Sequence, residues 1–568
     1  MAVFFNGRLL VSPVTASVVD DTAMYNPNLS VGNVLAIVGK SDGGVPDSVI
    51  RFGSAAQAKA VLRTGEALKA IEKAFDPSSQ TTGPSEVVFI RVNPATQSTL
   101  SLLDANAAAA IDLTSSDYGL YTTGLKVKVE SGSVSGKLVS TEFGTDYYEI
   151  DNLERKAFSV VYTGGNSTAT LDITNTVLTL TAAAAVTVDL TVYTTIQQVV
   201  DRINTIAGYA ATVLDGNNEN PSLNGLDGVT SQSVKTTAYI VKGDLQAIVD
   251  WINSASEGYV DAVRHTGALK VPANVAWTYL AGGIDGNTTN TEWQNAFDAL
   301  QTADVQWVVP ISPLAAIHAM ADTHADYMSN IARKERRVLV GGATGVTDAN
   351  VIVAAKALNS DRTSMVHLGF YDFDVNGNLT LYPPYILAAL LGGMFAGVSP
   401  GTALTNKAIK VRGLERKLRN PTDTDVLING GVFCVEDTDE GFKVVKSIST
   451  WLINKNFNRV EVSTGVAVDF VARNVRNAVD PLRGSKASPL FLTELISRAE
   501  TALLELSRPE PMGPGVLVGD ANSPPFKNIT ASIEGDVARL EFEASPAIPD
   551  NYILIAIHAV PFSGSASA

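Results

Sequence analysis

The sequence has little cysteine, little charge and no basic excess, and each shortage excludes a class of protein. Its 568 residues contain one cysteine, so no intramolecular disulfide can form and we expect folding in a reducing compartment. That residue, Cys434, lies in the apolar run VFCV, where we predict a small buried side chain. The formal net charge of −16 argues against a nucleic-acid-binding protein, which needs a basic surface.

Long apolar runs are also missing. The longest, from Ile386 to Val398, is too short to span a bilayer and is followed by Ser399-Pro400, so it predicts a buried core helix. The first residues contain one basic side chain and no long apolar segment, so we expect no secretion signal. With 45% hydrophobic residues the chain can form large cores, and we predict a soluble protein of several domains without membrane insertion.

Motifs for catalysis and metal binding are incomplete. The segment from Gly341 to Gly345 follows a strand and precedes a helix, as a phosphate-binding loop does, but it lacks the lysine of that motif. The segment from Asp372 to Asn378 matches half of a calcium loop, whereas Asn376-Gly377 favours a hairpin turn there. His318 and His324 are six residues apart, which is not the zinc-helix spacing. We predict no catalytic residues, no cofactor and no metal ligands.

What the sequence does contain is the strand–helix alternation of an α/β domain, from Tyr279 to Gly345 and again from Asn33 to Val92. We predict a multidomain fold of the α+β or α/β class. It has an α/β core, an inserted mostly-β outer domain, a C-terminal α+β inner domain and extended terminal strands. The predicted boundaries are 1–20 for an N-terminal arm, 21–114 and 237–424 for the core, 115–236 for the inserted domain, 425–550 for the inner domain and 551–568 for a C-terminal arm.

Several local predictions concern segments used below. One helix is predicted from Ser54 to Phe75, and three strands of a hairpin series are predicted in the runs VLING, VFCVED and FKVVKSIS after Asp425. Two helices follow, from about Val466 to Val479 and from Pro489 to Ser507. At both chain ends an apolar, strand-like segment has no obvious local partner, and such backbone edges pair with other chains. Asn6-Gly7 is also a turn candidate.

In this order, separate segments of the chain resemble the contractile-tail sheath proteins of tailed bacteriophages. They are LAGGIDG (280–286), DVQWVVPIS (304–312), IHAMADTHADYMS (317–329), ERRVLVGGATG (335–345), the run 382–410, INGGVFCVED (428–437) and NYILIAIHAVPF (551–562). The resemblance spans most of the chain and is weakest in the inserted domain. It implies a structural subunit that forms stacked hexameric rings around a tail tube and contracts to drive the tube through the host envelope.

The resemblance also implies roles for three sets of residues. Arm strands that add to neighbouring subunits would contain Val3, Phe5, Leu9, Val11, Ile553, Ile555 and Ile557. Their acceptor would be the hairpin region from Val426 to Ile448, with Val426, Ile428, Val432, Val444 and Val445. Contact with the tube would involve Glu494, Arg498, Glu505 and Arg508 of the last helix, with the basic run from Lys407 to Arg419 as the alternative.

The partners implied are further copies of the chain, the tail tube protein, and baseplate and tail-terminator proteins, without nucleic acid. The implied location is the virion tail, after assembly in the host cytoplasm. Two other functions stay open. An α/β enzyme or nucleotide-binding protein would need a phosphate loop or catalytic triad at the strand ends. A surface-layer or adhesin-like protein would need a secretion signal.

Overall fold

The computed structural model describes residues 3–5, 8–10, 34–256 and 258–559. The helices are Ala55–Leu62 (α1), Glu66–Phe75 (α2), Ile196–Asn204 (α3), Asp244–Ala255 (α4), Asn290–Leu300 (α5), Ala315–Asn330 (α6), Asp348–Leu358 (α7), Pro384–Ala396 (α8), Thr422–Asn429 (α9), Phe457–Val460 (α10), Val462–Val479 (α11) and Pro489–Ser507 (α12).

The strands up to residue 213 are Val3–Phe5 (β1), Arg8–Leu10 (β2), Val34–Gly39 (β3), Ile50–Phe52 (β4), Glu86–Arg91 (β5), Thr99–Leu103 (β6), Ala109–Ser115 (β7), Lys126–Ser131 (β8), Lys137–Phe143 (β9), Asp146–Leu153 (β10), Lys156–Tyr162 (β11), Thr170–Ile173 (β12), Val177–Thr181 (β13), Ala185–Asp189 (β14) and Tyr209–Val213 (β15). The later strands are Val229–Ser233 (β16), Tyr239–Lys242 (β17), Val260–Arg264 (β18), Val275–Tyr279 (β19), Trp307–Pro310 (β20), Arg337–Gly341 (β21), Thr363–Val366 (β22), Phe370–Phe373 (β23), Leu379–Tyr382 (β24), Gly413–Leu414 (β25), Val432–Thr438 (β26), Gly441–Lys446 (β27), Phe526–Glu534 (β28) and Val537–Ala544 (β29).

An eight-stranded sheet forms the centre of the fold, in the order β27-β26-β22-β21-β20-β3-β5-β4. The six inner strands are parallel, and the two outer strands, β27 and β4, run antiparallel to their neighbours. Helices α2 and α8 pack on one face of the sheet, and α5, α6 and α7 pack on the other. Because both faces are covered, the inner strands are continuous apolar runs, and Cys434 in β26 is fully buried as predicted.

The apolar run near Ile386 is a core helix, as predicted, since all thirteen residues of α8 are buried. No helix in the described residues is both long and apolar enough to cross a membrane. The predicted helix from Ser54 to Phe75 is instead two helices, α1 and α2. The chain breaks between them because Arg63 and Gly65 both have positive φ, at 68° and 104°, which a continuous helix does not allow.

Between β5 and β20 the chain forms two further units. In the first, the sheets β10-β9-β8-β19 and β18-β7-β6 pack with α4 around a core that includes Val127 and Ile248. In the second, the sheets β15-β11-β17 and β14-β13-β12-β16 pack with α3, and all its core residues lie between 157 and 241. The predicted limit at 115 therefore falls inside the first unit, at the end of β7, which pairs with β18 across the sequence. The predicted limit at 236 falls inside the second unit, between β16 and β17.

The C-terminal part contains α11, α12 and the separate two-stranded sheet β28-β29, packed around Phe470 and Leu503. Helix α12 has the predicted bounds, because Ser488 caps it and Pro489 occupies its first turn. The prediction of a strand in the run VLING is wrong. Val426 and Ile428 lie in α9, which begins after Pro421 and ends at Gly430, so their side chains follow a helical period.

Candidate assembly surfaces

The ends of the central strands carry no assembled reactive group. A Cβ atom on Gly341 would lie 2.4 Å from the backbone of Pro384, so this glycine allows strand β21 to pack against α8. His318 Nε2 bonds the carbonyl oxygen of Ser312 at 2.9 Å, and His324 Nε2 accepts from Arg336 at 2.8 Å. Burial, together with the Arg336 charge, lowers the pKa of His324 to about 3. Among the described residues no three metal-binding side chains converge.

The basic run from Lys407 to Arg419 forms ion pairs within the chain. Its pairs join Lys410 to Asp76, Arg416 to Asp348, Lys417 to Asp437 and Arg419 to Asp423. The guanidinium of Arg412 lies over the ring of Phe373, 5.4 Å from its centroid. These partners lie in several elements of the body, so most of the run's charge is already balanced there. This weakens the run as a surface for an acidic partner.

The predicted tube-contact residues share the exposed side of α12, and each has a partner on the helix or its end. Arg498 bonds Glu494 at 2.8 Å, and Arg508 lies 3.6 Å from Glu505. The opposite side buries Leu495, Ala499, Leu503 and Leu506. A recess of about 460 Å³ between α11 and α12 contains Arg498, Glu505 and Arg508 in its wall. The charged residues are thus grouped on one accessible surface.

The predicted strand acceptor is largely occupied by the chain itself. Its two helical members, Val426 and Ile428, offer no strand edge. Val432 lies in β26, an inner strand between β22 and β27. On the outer side of β27, Asn406 donates its backbone N–H to Val444, and Val444 donates to Lys407, at 2.8 and 3.0 Å. The segment 406–409 therefore covers the edge that Val444 and Val445 were predicted to present.

An open edge exists elsewhere, in the hairpin β28-β29. Its strands are nine and eight residues long, and among the described residues no third strand pairs with them. One face, which includes Ile529, Leu540 and Phe542, packs half-buried against the α11–α12 core. A recess of about 610 Å³ next to it contains Leu482, Phe491, Leu495, Ile533 and Ala538. The sequence indicates this hairpin through two alternating runs around Gly535-Asp536, but the prediction placed the acceptor upstream.

The two ends of the chain differ. Residues 551–559 are in neither a helix nor a strand, and Ile553, Ile555 and Ile557 are at least 79% exposed. At the other end Val3 pairs with Leu10 and Phe5 with Arg8, so β1 and β2 form a hairpin. Within this chain the two halves of the predicted N-terminal arm therefore pair with each other, and their addition to neighbouring subunits stays a prediction. The pairing spans the predicted turn at Asn6-Gly7, and residues 6, 7 and 11 lie outside the described residues.

Comparison with known proteins identifies relatives along nearly the whole chain, although no protein-family model matches it. The chain is 29% identical over 583 residues to the tail sheath protein of Bacillus phage SP01, covering 99% of this chain and 97% of the relative. It is 24% identical over 511 residues to the tail sheath protein of Staphylococcus phage Twort, covering 83% of this chain and 85% of the relative. The chain is homologous to phage tail sheath proteins.

The fold of this sheath homologue also matches a solved structure. It superposes on the sheath tail protein of Desulfitobacterium hafniense with a TM-score of 0.57 at 12% identity, covering 94% of this chain and 96% of the other. This confirms the predicted fold class, a multidomain mixture of α and β. The relatives are structural proteins of phage tails rather than enzymes, so the homology confirms a structural role and gives the enzyme alternative no support.

Proposed function

We propose that this chain is the structural subunit of a contractile phage tail sheath. It polymerises as stacked hexameric rings around a tail tube and contracts to drive that tube through the host envelope. Homology to a tail sheath protein over 99% of the chain is the observation that carries this proposal. The proposed partners are further copies of the chain, the tube protein, and baseplate and tail-terminator proteins, with assembly in the host cytoplasm before incorporation in the virion.

Strand exchange between copies is the proposed link. Residues 552–559 of one subunit would pair with an edge of β28-β29 in a second subunit. A two-stranded sheet is marginal by itself and becomes stable when further strands are added. In the part of the chain that the structure describes, no strand pairs with either outer edge of the hairpin, and the isoleucines of the C-terminal segment are exposed.

Side-chain chemistry supports the same pairing. In an added strand Ile553, Ile555 and Ile557 project to one face, because side chains alternate along a strand. On the hairpin, the half-buried face next to the 610 Å³ recess is apolar, whereas the opposite face contains Ser532, Glu541 and Glu543. The three isoleucines therefore fit the apolar face. Burying each of them would contribute about 1.5–3 kcal/mol, before the cost of ordering the segment.

The contact with the tube protein is proposed to lie on the exposed side of α12. Its charges form surface pairs, each worth at most about 1 kcal/mol, which suits a contact that must release when the sheath contracts. The basic run is the alternative candidate. Its cations pair with carboxylates of other elements, such as Asp76 and Asp348, whereas those of α12 pair within the helix or at its end.

Electron microscopy of the purified protein tests the assembly. We expect hollow, striated cylinders from the full chain and single particles from a chain that ends at Tyr552. A finer variant replaces Ile553, Ile555 and Ile557 with aspartate, which should also prevent cylinders. The matched control replaces Val134 and Val192, both exposed in the inserted region, with aspartate and should assemble normally.

Circular dichroism and thermal unfolding should be the same for all these variants, since the substituted side chains are exposed. Cylinders formed by the truncated chain would contradict strand exchange through this segment. Single particles from the full chain under conditions of mild salt and high concentration would contradict the sheath function itself.

A further inference from the structure

A buried carboxylate lies where the C-terminal segment leaves the body of the subunit. Glu461 is 2% exposed and occupies the junction between α10 and α11. Its Oε1 accepts from the hydroxyls of Ser447 at 2.7 Å and Ser463 at 3.4 Å. Within the described residues no basic side chain forms an ion pair with it. A buried charge of this kind depends on its hydrogen-bond donors.

One of those donors belongs to the C-terminal segment. The side-chain amide of Asn551 donates from Nδ2 to Glu461 Oε2 at 3.2 Å, and its Oδ1 accepts from the Thr405 hydroxyl at 2.8 Å. Both the nitrogen and the oxygen of the Asn551 amide are therefore hydrogen-bonded, to two segments of the body that are more than fifty residues apart in sequence. The next residue, Tyr552, is 77% exposed, with Lys446 Nζ 5.4 Å from its ring centroid.

We propose that Asn551 is the fixed root of the C-terminal arm, clamped by Glu461 and Thr405, so that the segment free to reach a second copy begins at Tyr552. This inference rests on the proposed strand exchange. Before Asn551, the last backbone bond to the body is that of Ala547, whose N–H donates to Val516 at 2.9 Å. Without the clamp, residues 548–551 would join the free arm.

The length that the free arm would gain is large compared with the spacing between neighbouring strands. Four residues in extended conformation add about 13 Å to the reach of the arm, whereas neighbouring strands lie about 4.8 Å apart. A longer tether lowers the effective concentration of the arm at its acceptor and lets the linked subunits adopt more than one separation. The clamp thus sets both the length and the exit point of the link, which makes Asn551 and Thr405 positioning residues for assembly.

Digestion with carboxypeptidase Y, followed by intact-mass measurement, locates the root directly. In the unassembled full-length chain we expect trimming to stop near Asn551. In Asn551→Ala and in Thr405→Val, which removes the hydroxyl from the other side of the clamp, we expect trimming to continue by about four residues. The matched control is Asn330→Ala, which removes an amide–carboxylate bond to Asp326 away from the hairpin and should stop where the wild type stops. Thermal unfolding of each variant separates loss of the clamp from loss of the fold.

The same variants should still polymerise, because their arms are intact, but with at least a twofold wider spread of axial repeat in electron micrographs. An end point of digestion unchanged in both Asn551→Ala and Thr405→Val overturns the inference. An unchanged spread of repeat does so as well, even if the end point shifts. If the wild type forms no cylinders but the variants are trimmed further than the wild type, the result contradicts the sheath function and still supports the contact of Asn551 with Glu461 and Thr405.

Discussion

The central sheet and the terminal hairpin differ in whether their edge strands are short or covered by other parts of the chain. On the sheet, β4 at one edge is only three residues long, and β27 at the other edge is covered by the segment 406–409 of the same chain. Among the described residues, no strand covers either edge of the hairpin β28-β29, and these edges are eight and nine residues long. The chain itself thus closes the edges of the sheet, whereas the strand exchange proposed above assigns the hairpin edges to another subunit.

This difference separates the stability of the subunit from its capacity to assemble. Closed edges and buried faces prevent the central sheet from pairing with other chains. The hairpin packs against α12, and α11 joins this part of the chain to the central sheet. Under the proposed strand exchange, an added strand would therefore leave the main core undisturbed. Changes at the hairpin edges should therefore affect polymerisation, and changes at the α11 contact should affect folding.

Proline substitution at the hairpin edges should have the largest effect on polymerisation. The two-residue connection makes Glu534 and Val537 a hydrogen-bonded pair, so the N–H groups of Ala531 and Ala538 point outward. Proline at either position removes an outward donor and keeps the ladder. An acceptor left unpaired in a buried interface costs about 1–3 kcal/mol, which corresponds to roughly a 5- to 150-fold rise in critical concentration. Sedimentation of polymers against protein concentration measures this rise.

The control for this experiment is Ser532→Pro, whose N–H points into the hairpin, and which should lower the thermal stability of the C-terminal part. The two edge variants should unfold like the wild type. If Ala531→Pro and Ala538→Pro both polymerise normally, the hairpin is not the acceptor of the arm, and its open edges have no role in assembly.

Substitution at the contact between α11 and the central sheet should affect the folding of the subunit rather than polymerisation. Asp469 of α11 bonds Arg337 at 3.1 Å and Arg362 at 2.7 Å, and all three side chains are largely buried. Asp469→Ala leaves two buried guanidinium groups without their shared partner, at a cost of about 3–5 kcal/mol in the free energy of unfolding. Urea titration measures it. The control, Asp480→Ala, removes an exposed pair with Arg483 and should cost less than about 1 kcal/mol.

Much of this organisation follows from local sequence. Continuous apolar runs predicted the inner strands of the central sheet, and Ser488-Pro489 fixed the start of α12. Asn376-Gly377 predicted the turn between β23 and β24. The local predictions that were wrong concern segments whose structure depends on flanking residues or on tertiary contacts. The β-branched residues of α9 favoured a strand locally, whereas Pro421 and Gly430 bound a helix of eight residues. Coverage of β27 by the segment 406–409 is a tertiary contact that no local pattern encodes.

The exposed side of α12 should show a smaller effect, on binding to the tube protein. Replacing Arg498 and Arg508 with glutamate removes two exposed cations and leaves Glu494 and Glu505 beside like charges. Because surface pairs are worth up to about 1 kcal/mol each, we expect binding to the tube protein to weaken by about tenfold, and 0.5 M salt to weaken the wild type similarly. Co-sedimentation with tube polymers measures binding, and Arg483→Glu is the control. Binding that responds to neither change would remove α12 as the tube contact.

Removal of the second unit, whose core lies between residues 157 and 241 (the nested unit), should have the smallest effect on assembly. The experiment tests whether this unit and the first unit have independent cores. All the core residues of this unit lie between 157 and 241, and its first and last strands, β11 and β17, are paired neighbours, with Lys156 opposite Lys242. Joining Arg155 to Gly243 through a short Gly/Ser linker therefore removes residues 156–242 with little strain. We expect the shortened chain to keep its thermal transition and to form cylinders.

The comparison deletion removes residues 115–236, the limits predicted from the sequence. It takes away β8 and β9, and with them Val127, Val129 and Val139, which are fully buried in the core around α4. Losing large apolar side chains from a packed core costs about 2–5 kcal/mol each, so this deletion should unfold the first unit and expose the face of α4 that contains Ile248. The two deletions, which overlap over residues 156–236, would then differ sharply in solubility and in thermal unfolding. Equal behaviour would mean that the two cores are not independent. Loss of cylinders in the shorter deletion alone would place an inter-subunit contact on the nested unit, in addition to the hairpin.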